Sequence, residues 1–173
     1  VLAEIEAQLQ RTAEDRRARD AEGAVDLLRI LGPLSTEEVA ARSVPDADVT
    51  GWLESLAVAR RAVAVRVAGV ERWAAVEDVG RLRDGLGVPV PPGTPDAFAE
   101  PVEDPLGDLV ARFARTHGPF TVEQVGERFG LGAAVVRLTL QRLAAQGRVL
   151  DGEFRPQGRD RKSTRLNSSH VSE

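Results

Sequence analysis

The sequence contains no cysteine, which excludes disulfides and thiolate metal sites and leaves the cellular compartment open. Histidine is scarce too: His117 and His170 are too few to form a zinc site. Lysine occurs once, as Lys162, and no glycine-rich loop precedes it, so the phosphate-binding loop of an ATP hydrolase is missing from this chain. Acidic residues are plentiful, but none pair in an apolar context that would raise a carboxyl pKa for acid–base chemistry. We therefore predict no catalytic residue, no metal site and no cofactor within this chain.

His117 stands at a predicted helix end, beside Gly118. A histidine in that position interacts with the helix dipole far more often than it acts as a catalytic base.

Long apolar runs are also absent, since none approaches the roughly 20 residues of a membrane span, and no signal peptide is visible. The 173 residues suit one or two small domains, which we expect in the cytoplasm. Because the net charge is −4, any binding to nucleic acid must depend on local basic patches. The first residue is Val1 and not methionine, so we expect the chain to be a piece of a longer protein.

Residues 104–158 have the pattern of a winged-helix unit with a truncated wing. Asp104 and Pro105 predict a helix start, and Thr121 with Gln124 predicts the capping box of a second helix. Gly130-Leu131-Gly132 supplies the turn into a third helix, as in a helix-turn-helix. A strand at 148–150, a turn at 151–152 and a returning strand at 153–155 would form the wing. The helices should bury one apolar face, at Leu106, Leu109, Val110, Phe113, Val136, Leu140 and Leu143.

Residues 20–87 repeat this plan as a first, winged-helix-like unit. GPLSTEEVAAR at 32–42 matches GPFTVEQVGER at 118–128 position for position, including the capping box. Asp46 is expected to cap the third helix, and residues 62–76 alternate as a hairpin that turns at Ala68-Gly69. The predicted fold class is mainly α with small β-hairpins (α+β), arranged as two tandem winged-helix units.

Three segments flank these units. Residues 1–19 read as a leading helix from a preceding domain, and residues 88–103 as a proline-rich, semi-rigid linker. Residues 159–173 break with the composition of the rest, because they hold the only lysine and the only asparagine, Asn167. DRKSTRLNSSH also resembles one reading frame of a common sequencing-library adapter. We therefore expect an adapter-derived, disordered tail that packs on nothing; the alternative is a natural polar C-terminus.

Candidate DNA contacts lie mainly in the second unit. Arg137, Gln141 and Arg142 occupy the exposed side of its predicted third helix, and Arg148 begins its wing. Arginine and glutamine side chains contact phosphates and base edges. Direct DNA contact and a purely structural winged helix both remain open at this point.

The first unit is a poorer candidate, because acidic residues occupy its third helix. Its wing carries Arg66 and Arg72, so a contact would come from there. Trp73 in the same hairpin is typical either of a core residue or of a platform on which an unpaired base stacks.

Several stretches resemble the bacterial large helicase-related (Lhr) family in its actinobacterial form. They include AEIEAQLQRTAEDRRARDAEGAVDLLRILGPLSTEEVAAR, ERWAAVEDVGRLRDGLGVPVPPG and DPLGDLVARFARTHGPFT with its helix-turn-helix, and they cover nearly all of the chain up to Gly158. The resemblance implies a segment of an ATP-dependent superfamily-2 DNA helicase that translocates on single-stranded DNA and is linked to DNA repair. The motor domains, which would bind ATP and magnesium, would precede Val1, so none of their residues is carried over. The implied partners are DNA and other domains of the same helicase.

Two other functions fit the residues. A pair of winged helices is also typical of a transcriptional regulator, and the acidic balance favours a protein–protein interaction module without DNA contact.

Overall fold

The computed structural model describes residues 1–151 and 165–168. The α-helices in this part of the chain are α1 (Leu2–Leu9), α2 (Ala21–Leu31), α3 (Thr36–Ala41), α4 (Val49–Val58), α5 (Val79–Leu86), α6 (Pro105–Thr116), α7 (Val122–Phe129) and α8 (Ala133–Ala145). The strands are β1 (Ala62–Val67), β2 (Val70–Ala75), β3 (Phe120–Thr121), β4 (Val149–Asp151) and β5 (Arg165–Ser168). Short 3-10 helices cover Glu14–Arg16, Val76–Asp78 and Asp96–Phe98. The predicted mainly helical, winged-helix fold is confirmed.

The helices are capped by side chains largely at the predicted positions. The Gly107 amide donates to the Asp104 carboxylate over 3.1 Å at the start of α6, with proline at the first helical position. Ser35 with Glu38, and Thr121 with Gln124, form complete capping boxes at α3 and α7. Such caps satisfy backbone donors that the first turn leaves without partners.

Two helix boundaries differ from the prediction. The leading helix α1 ends at Leu9, because Arg11 adopts a φ of +60°, a left-handed conformation that interrupts the helix. A 3-10 turn at Glu14–Arg16 follows, and beyond it the Ala18 amide donates to the Arg42 carbonyl over 2.8 Å. At α4 the cap is Asp48 and not Asp46, since the Asp48 carboxylate accepts from the Gly51 amide over 3.1 Å.

The first unit forms a small sheet around its hairpin. Strands β1 and β2 pair antiparallel from Ala62–Ala75 to Val67–Val70, and the predicted turn at Ala68-Gly69 has positive φ at both residues. Leu34, which directly precedes the cap of α3, bridges to Trp73 of β2. This isolated bridge is the counterpart of β3 in the second unit, since Leu34 and Phe120 occupy equivalent places in the repeat.

The second sheet has the order β3-β5-β4, with antiparallel pairing throughout. Strand β5 therefore takes the place in the second unit that β2 takes in the first. The predicted returning strand at 153–155 lies outside the described residues, and Arg165–Ser168 supplies the strand that pairs with β4. The expectation that residues 159–173 pack on nothing is wrong at this strand. The physical reason is that pairing uses backbone groups, which a polar segment offers as well as an apolar one.

A shared apolar cluster joins the two units. Leu109 of α6 is 1% exposed and packs among residues of the first hairpin and of α5. Phe129 at the end of α7 packs against this cluster and also against the core of the second unit. The shared members from the first unit and the linker are Val65, Val67, Ala74, Leu82 and Val88.

The proline-rich linker lies against the first unit. The Val102 amide donates to the Asp84 carboxylate over 3.0 Å, and the Arg83 guanidinium donates to the Ala99 carbonyl over 2.5 Å. Gly80 of α5 permits this approach, because a Cβ there would lie 2.9 Å from the Glu100 carbonyl oxygen. The linker is thus held along α5 and does not act as a free tether.

We expect Leu109→Ala to lower the free energy of unfolding by about 2–5 kcal/mol, as large-to-small changes in a packed core do. Since the cluster belongs to both units, urea unfolding should shift as one transition for the whole chain. Leu138→Ala is the control, because Leu138 is 66% exposed and its loss should change stability by no more than about 0.5 kcal/mol. Two separated transitions in the Leu109 variant would contradict a shared core.

Candidate nucleic-acid interface

The exposed face of α8 carries the predicted contacts of the second unit. Arg137 and Gln141 are exposed, one helical turn apart. Arg142 is also exposed, but its guanidinium donates to the Asp104 carboxylate over 3.1 Å. Asp104 caps α6, so the positive charge of Arg142 already has a neighbouring counter-charge. Arg137 and Gln141 are therefore better placed than Arg142 to meet a phosphate.

The same face of α8 is partly apolar. Val135 is 41% exposed and Leu138 is 66% exposed, and both line an open groove of about 710 Å³ beside Leu106 of α6. Thr139, by contrast, is buried and donates its hydroxyl to the Val135 carbonyl over 2.8 Å. The helix thus presents a mixed surface and not a continuous row of phosphate-binding groups.

A second basic position of this unit was missed from the sequence. Arg115, in the last turn of α6, lies near Arg148, which is half-buried at the start of the wing. Partial burial lowers the pKa of the Arg115 guanidinium, and the positive charges of Arg148 and Arg112 lower it further. Two cations on different elements are thus brought together only by the fold.

The two predicted arginines of the first wing have different environments. Arg66 is exposed and pairs across the hairpin with Glu71 at 3.5 Å. Arg72 is 6% exposed and donates to the Arg128 carbonyl over 2.6 Å. The prediction of Arg72 as a DNA contact is wrong, because the second unit covers its side chain. Burial lowers the pKa of Arg72 to about 10, and the charge of Arg128 adds to this effect.

Trp73 is a core residue more than a platform for bases. It packs against the core of the first unit, and its indole N–H donates to the Thr36 hydroxyl over 3.2 Å. Both of its backbone groups pair with Leu34.

We call the contact between the two units the joint, and define it by Arg128 and Gly130 of the second unit with Glu38, Ala68 and Arg72 of the first. The Arg128 guanidinium contacts the Glu38 carboxylate at 2.7 and 3.1 Å, and also donates to the Pro33 carbonyl over 2.8 Å. Gly130 follows α7 with a φ of +69° and lies against Ala68 at the tip of the first hairpin. The first wing is therefore packed on the helix-turn-helix of the second unit.

A buried ion pair adjoins the joint. Asp78 is 2% exposed, and the Arg112 guanidinium contacts both of its carboxylate oxygens, at 2.9 and 3.1 Å. Arg81 donates to the same carboxylate over 3.1 Å and to Asp108 over 3.0 Å. Such a pair adds little net stability, but removing one member leaves a buried charge without its partner, which costs several kcal/mol.

His117 is held in place at the end of α6. Its ring stacks on Phe113 at a centroid distance of 3.6 Å, and Nδ1 lies 2.7 Å from the Phe113 carbonyl oxygen, which requires that nitrogen to carry a proton. Burial lowers the pKa of His117, and the Phe113 carbonyl opposes this shift. The nearby charges of Arg128 and Arg42 lower the pKa further, while Glu6 raises it. Burial thus outweighs the favourable contact with the Phe113 carbonyl at the helix end.

Within residues 1–151 and the strand at 165–168, no three His, Cys, Asp or Glu side chains are grouped so that they could bind a metal ion. No helix in the same part of the chain is both long and apolar enough to cross a bilayer.

Each unit consists of three helices followed by a β-hairpin, and in the second unit β5 is the returning strand of that hairpin. This arrangement defines a tandem winged-helix protein. A family model described as "Large helicase-related protein, winged-helix domain" matches residues 1–101, and the chain belongs to this family. The matched span begins before the first unit and ends within the linker.

Two curated relatives match most of the chain. One, from Mycolicibacterium smegmatis, is called "Lhr helicase/ probable uracil glycosylase" and is 54% identical over 89% of this chain. The other, from Escherichia coli K12, is called "Lhr helicase/uracil glycosylase" and is 41% identical over 87% of this chain. In each case the match covers 10% of the relative, so the chain spans about a tenth of the length of these proteins.

We expect Gly130→Ala to destabilise the chain more than Gly87→Ala does. Both glycines end helices at nearly the same φ, +69° and +70°, so alanine is strained equally at both, by about 1–2 kcal/mol. Only at Gly130 would the new Cβ also lie 3.1 Å from the Ala68 Cα, whereas nothing lies within 4 Å at Gly87. Chemical denaturation measures both variants. Equal losses would show that the hairpin tip does not press on Gly130.

We expect stability to fall as the pH drops below about 6.5, the ordinary pKa of histidine. The pKa of His117 is lower in the folded chain than in the unfolded chain. As the pH drops below about 6.5, the unfolded chain therefore binds a proton at this residue before the folded chain does, and the free energy of unfolding falls. The decline ends when the pH reaches the pKa of the folded chain, below which both states are protonated. Urea unfolding from pH 7.5 to 5 should show a smaller decline for His117→Gln than for the wild type. The carboxylates and His170 are present in both proteins, so the difference between the two curves reports the contribution of His117 alone. Parallel curves would contradict the prediction.

Proposed function

We propose that the chain is a non-catalytic module of an ATP-dependent DNA helicase that acts in DNA unwinding and repair. In this proposal its two winged helices form one rigid body that holds neighbouring domains of the helicase in a fixed arrangement. The second unit adds a weak contact with DNA. ATP and magnesium would bind elsewhere in the same helicase.

One observation carries the proposal. The wing of the first unit is packed against the helix-turn-helix of the second, with Arg72 buried beneath the end of α7. The face of the wing that carries Arg72 is unavailable to a DNA groove in this arrangement. The packing also removes the freedom that two independent DNA-reading domains would need in order to adjust to separate sites. The joint therefore favours an organising role over a role in reading sequence.

The DNA contact is proposed for the side of the second unit that carries Arg137 and Gln141 on α8, with Arg148 and Arg115 beyond it. These side chains are few, and they are set in a chain with a net charge of −4. Few neutralised phosphates give low affinity and a shallow dependence on salt. Arg66 and Arg142 stay secondary candidates, because each is already ion-paired.

A protein contact is a second candidate function for the same face. The exposed Val135 and Leu138 favour it, because apolar side chains form no favourable contact with phosphate groups. Contact with a protein would depend little on salt, whereas contact with DNA would weaken as salt rises.

Binding of single-stranded and duplex DNA by the purified chain should be weak, insensitive to sequence and lost near physiological salt. An Arg137→Ala, Arg148→Ala double variant should reduce the slope of log affinity against log salt by roughly 0.7–0.9 for each phosphate contact removed. Fluorescence anisotropy at several salt concentrations measures this slope. The matched control is Arg29→Ala with Arg61→Ala, which removes two arginines that are ion-paired with Glu77 and Glu22.

Equal slopes for the two double variants would place the DNA contact elsewhere. Tight, sequence-specific binding would contradict the proposal and favour a transcriptional regulator, since each good bidentate contact with a base contributes about 1–3 kcal/mol.

A further inference from the structure

A small, largely enclosed cavity lies between the two units. Its volume is about 80 Å³, which is enough for a few water-sized groups. Residues of the leading segment and of both units line it. The cavity therefore exists only when the two units are in contact at the joint. The charged and polar side chains around it are Gln10, Glu38, Arg42, Arg112, His117 and Arg128.

The positive charges of the guanidinium groups around this cavity are not all paired with carboxylates. Arg128 pairs with Glu38, and Arg112 pairs with Asp78. Arg42 instead donates to neutral oxygens: the Gln10 carbonyl over 2.8 Å, the Gln10 side-chain oxygen over 2.9 Å and the Glu38 carbonyl over 2.9 Å. These three oxygens hold Arg42 in place, and among the described residues no carboxylate is ion-paired with its guanidinium.

Arg72 adds a further cation beside Arg128. Its guanidinium donates to the Arg128 carbonyl, and among the described residues its buried Nε has no hydrogen-bond partner. Burial lowers the pKa of Arg42 as well as that of Arg72, and the charge of Arg128 lowers both further, although Glu38 opposes the shift. The charged forms are therefore poorly compensated where they stand.

The local charges can be counted. Three arginines line the cavity, at 42, 112 and 128, and Arg72 lies next to Arg128 without lining it. Two of the lining arginines are ion-paired, Arg112 with Asp78 and Arg128 with Glu38. Glu6 lies on Gly118 and acts on His117, so we include it as a third carboxylate. Arg81 also contacts Asp78, but it is ion-paired with Asp108 as well. Arg81 and Asp108 together therefore add no net charge. Because His117 is neutral at pH 7, four positive and three negative charges leave an excess of one positive charge.

We propose that this cavity is a binding site for one small inorganic anion, such as chloride. Arg42 and Arg128 would bind the anion, which supplies the one negative charge that the surrounding side chains lack. Burying a cation without a counter-charge is costly, so neutralising the excess stabilises the closed joint. The two winged-helix units would then be held together in part by an ion that belongs to neither unit. This inference does not depend on the proposed contact with DNA.

Thermal unfolding of the full chain at pH 7.5 tests the site when chloride replaces gluconate at constant ionic strength. Gluconate is too large for the cavity, so general screening stays unchanged while the small anion is varied. The folding equilibrium constant of the wild type should rise about tenfold for each tenfold rise in chloride above its dissociation constant. Arg42→Gln should lose this dependence, and Arg137→Gln, which removes an exposed arginine outside the cavity, should keep it.

Crystals of the wild type grown in bromide give a second readout that needs no variant to fold. An anomalous peak in the cavity between Arg42 and Arg128 is the expected result. Bromide found only on the outer surface would overturn the proposal. An equal chloride dependence in the wild type and both variants would overturn it as well.

Discussion

The arrangement of this chain depends on the contact between the first hairpin and the end of α7. Gly130 allows the chain to turn directly against Ala68, and this close approach brings Arg72 under the carbonyl of Arg128. A guanidinium at the C-terminal end of a helix is favourable, because the last carbonyls of the helix lack partners of their own. From this contact follow the pairing of Arg128 with Glu38 and the packing of Leu109 and Phe129 in the shared cluster.

Apolar burial and charge contribute differently to the joint. Leu109, at 1% exposure, supplies favourable free energy by leaving water, as any buried leucine does. The pair of Asp78 with Arg112 gains little in total, since both groups lose their hydration. Its geometry is directional, however, and it links the residue that precedes α5 to α6. Burial alone would raise the pKa of Glu38, but the hydrogen bonds from Arg128 and Ser35 keep it below its usual value. Glu38 therefore stays charged and continues to hold Arg128.

The two winged helices share a plan and use it differently. In the first, the wing is an internal contact surface, and the corresponding helix, α4, carries the acidic Glu54 toward solvent. In the second, α8 leaves arginine, glutamine and apolar side chains exposed together. Membership of the large helicase-related family is consistent with such a division, since the chain is about a tenth of the length of its curated relatives.

The sequence by itself determined the local structure. Helix caps at Ser35, Asp104 and Thr121, the hairpin turn at Ala68-Gly69 and the repeated GPL and GPF motifs are set by contacts within a few residues, which a linear pattern records. It was misleading where two local signals competed, as between Asp46 and Asp48, and where Arg11 interrupts the leading helix.

Only the tertiary structure decided which arginines are free. Arg66 and Arg72 are alike in the sequence, yet one points to solvent and the other lies beneath the second unit, because strand pairing sends alternate residues to opposite faces and only one face meets α7. The approach of Arg115 to Arg148 and the excess positive charge around Arg42 likewise arise between residues that are distant in the chain. Burial and electrostatic coupling depend on distances in space, so local pattern could not reveal them.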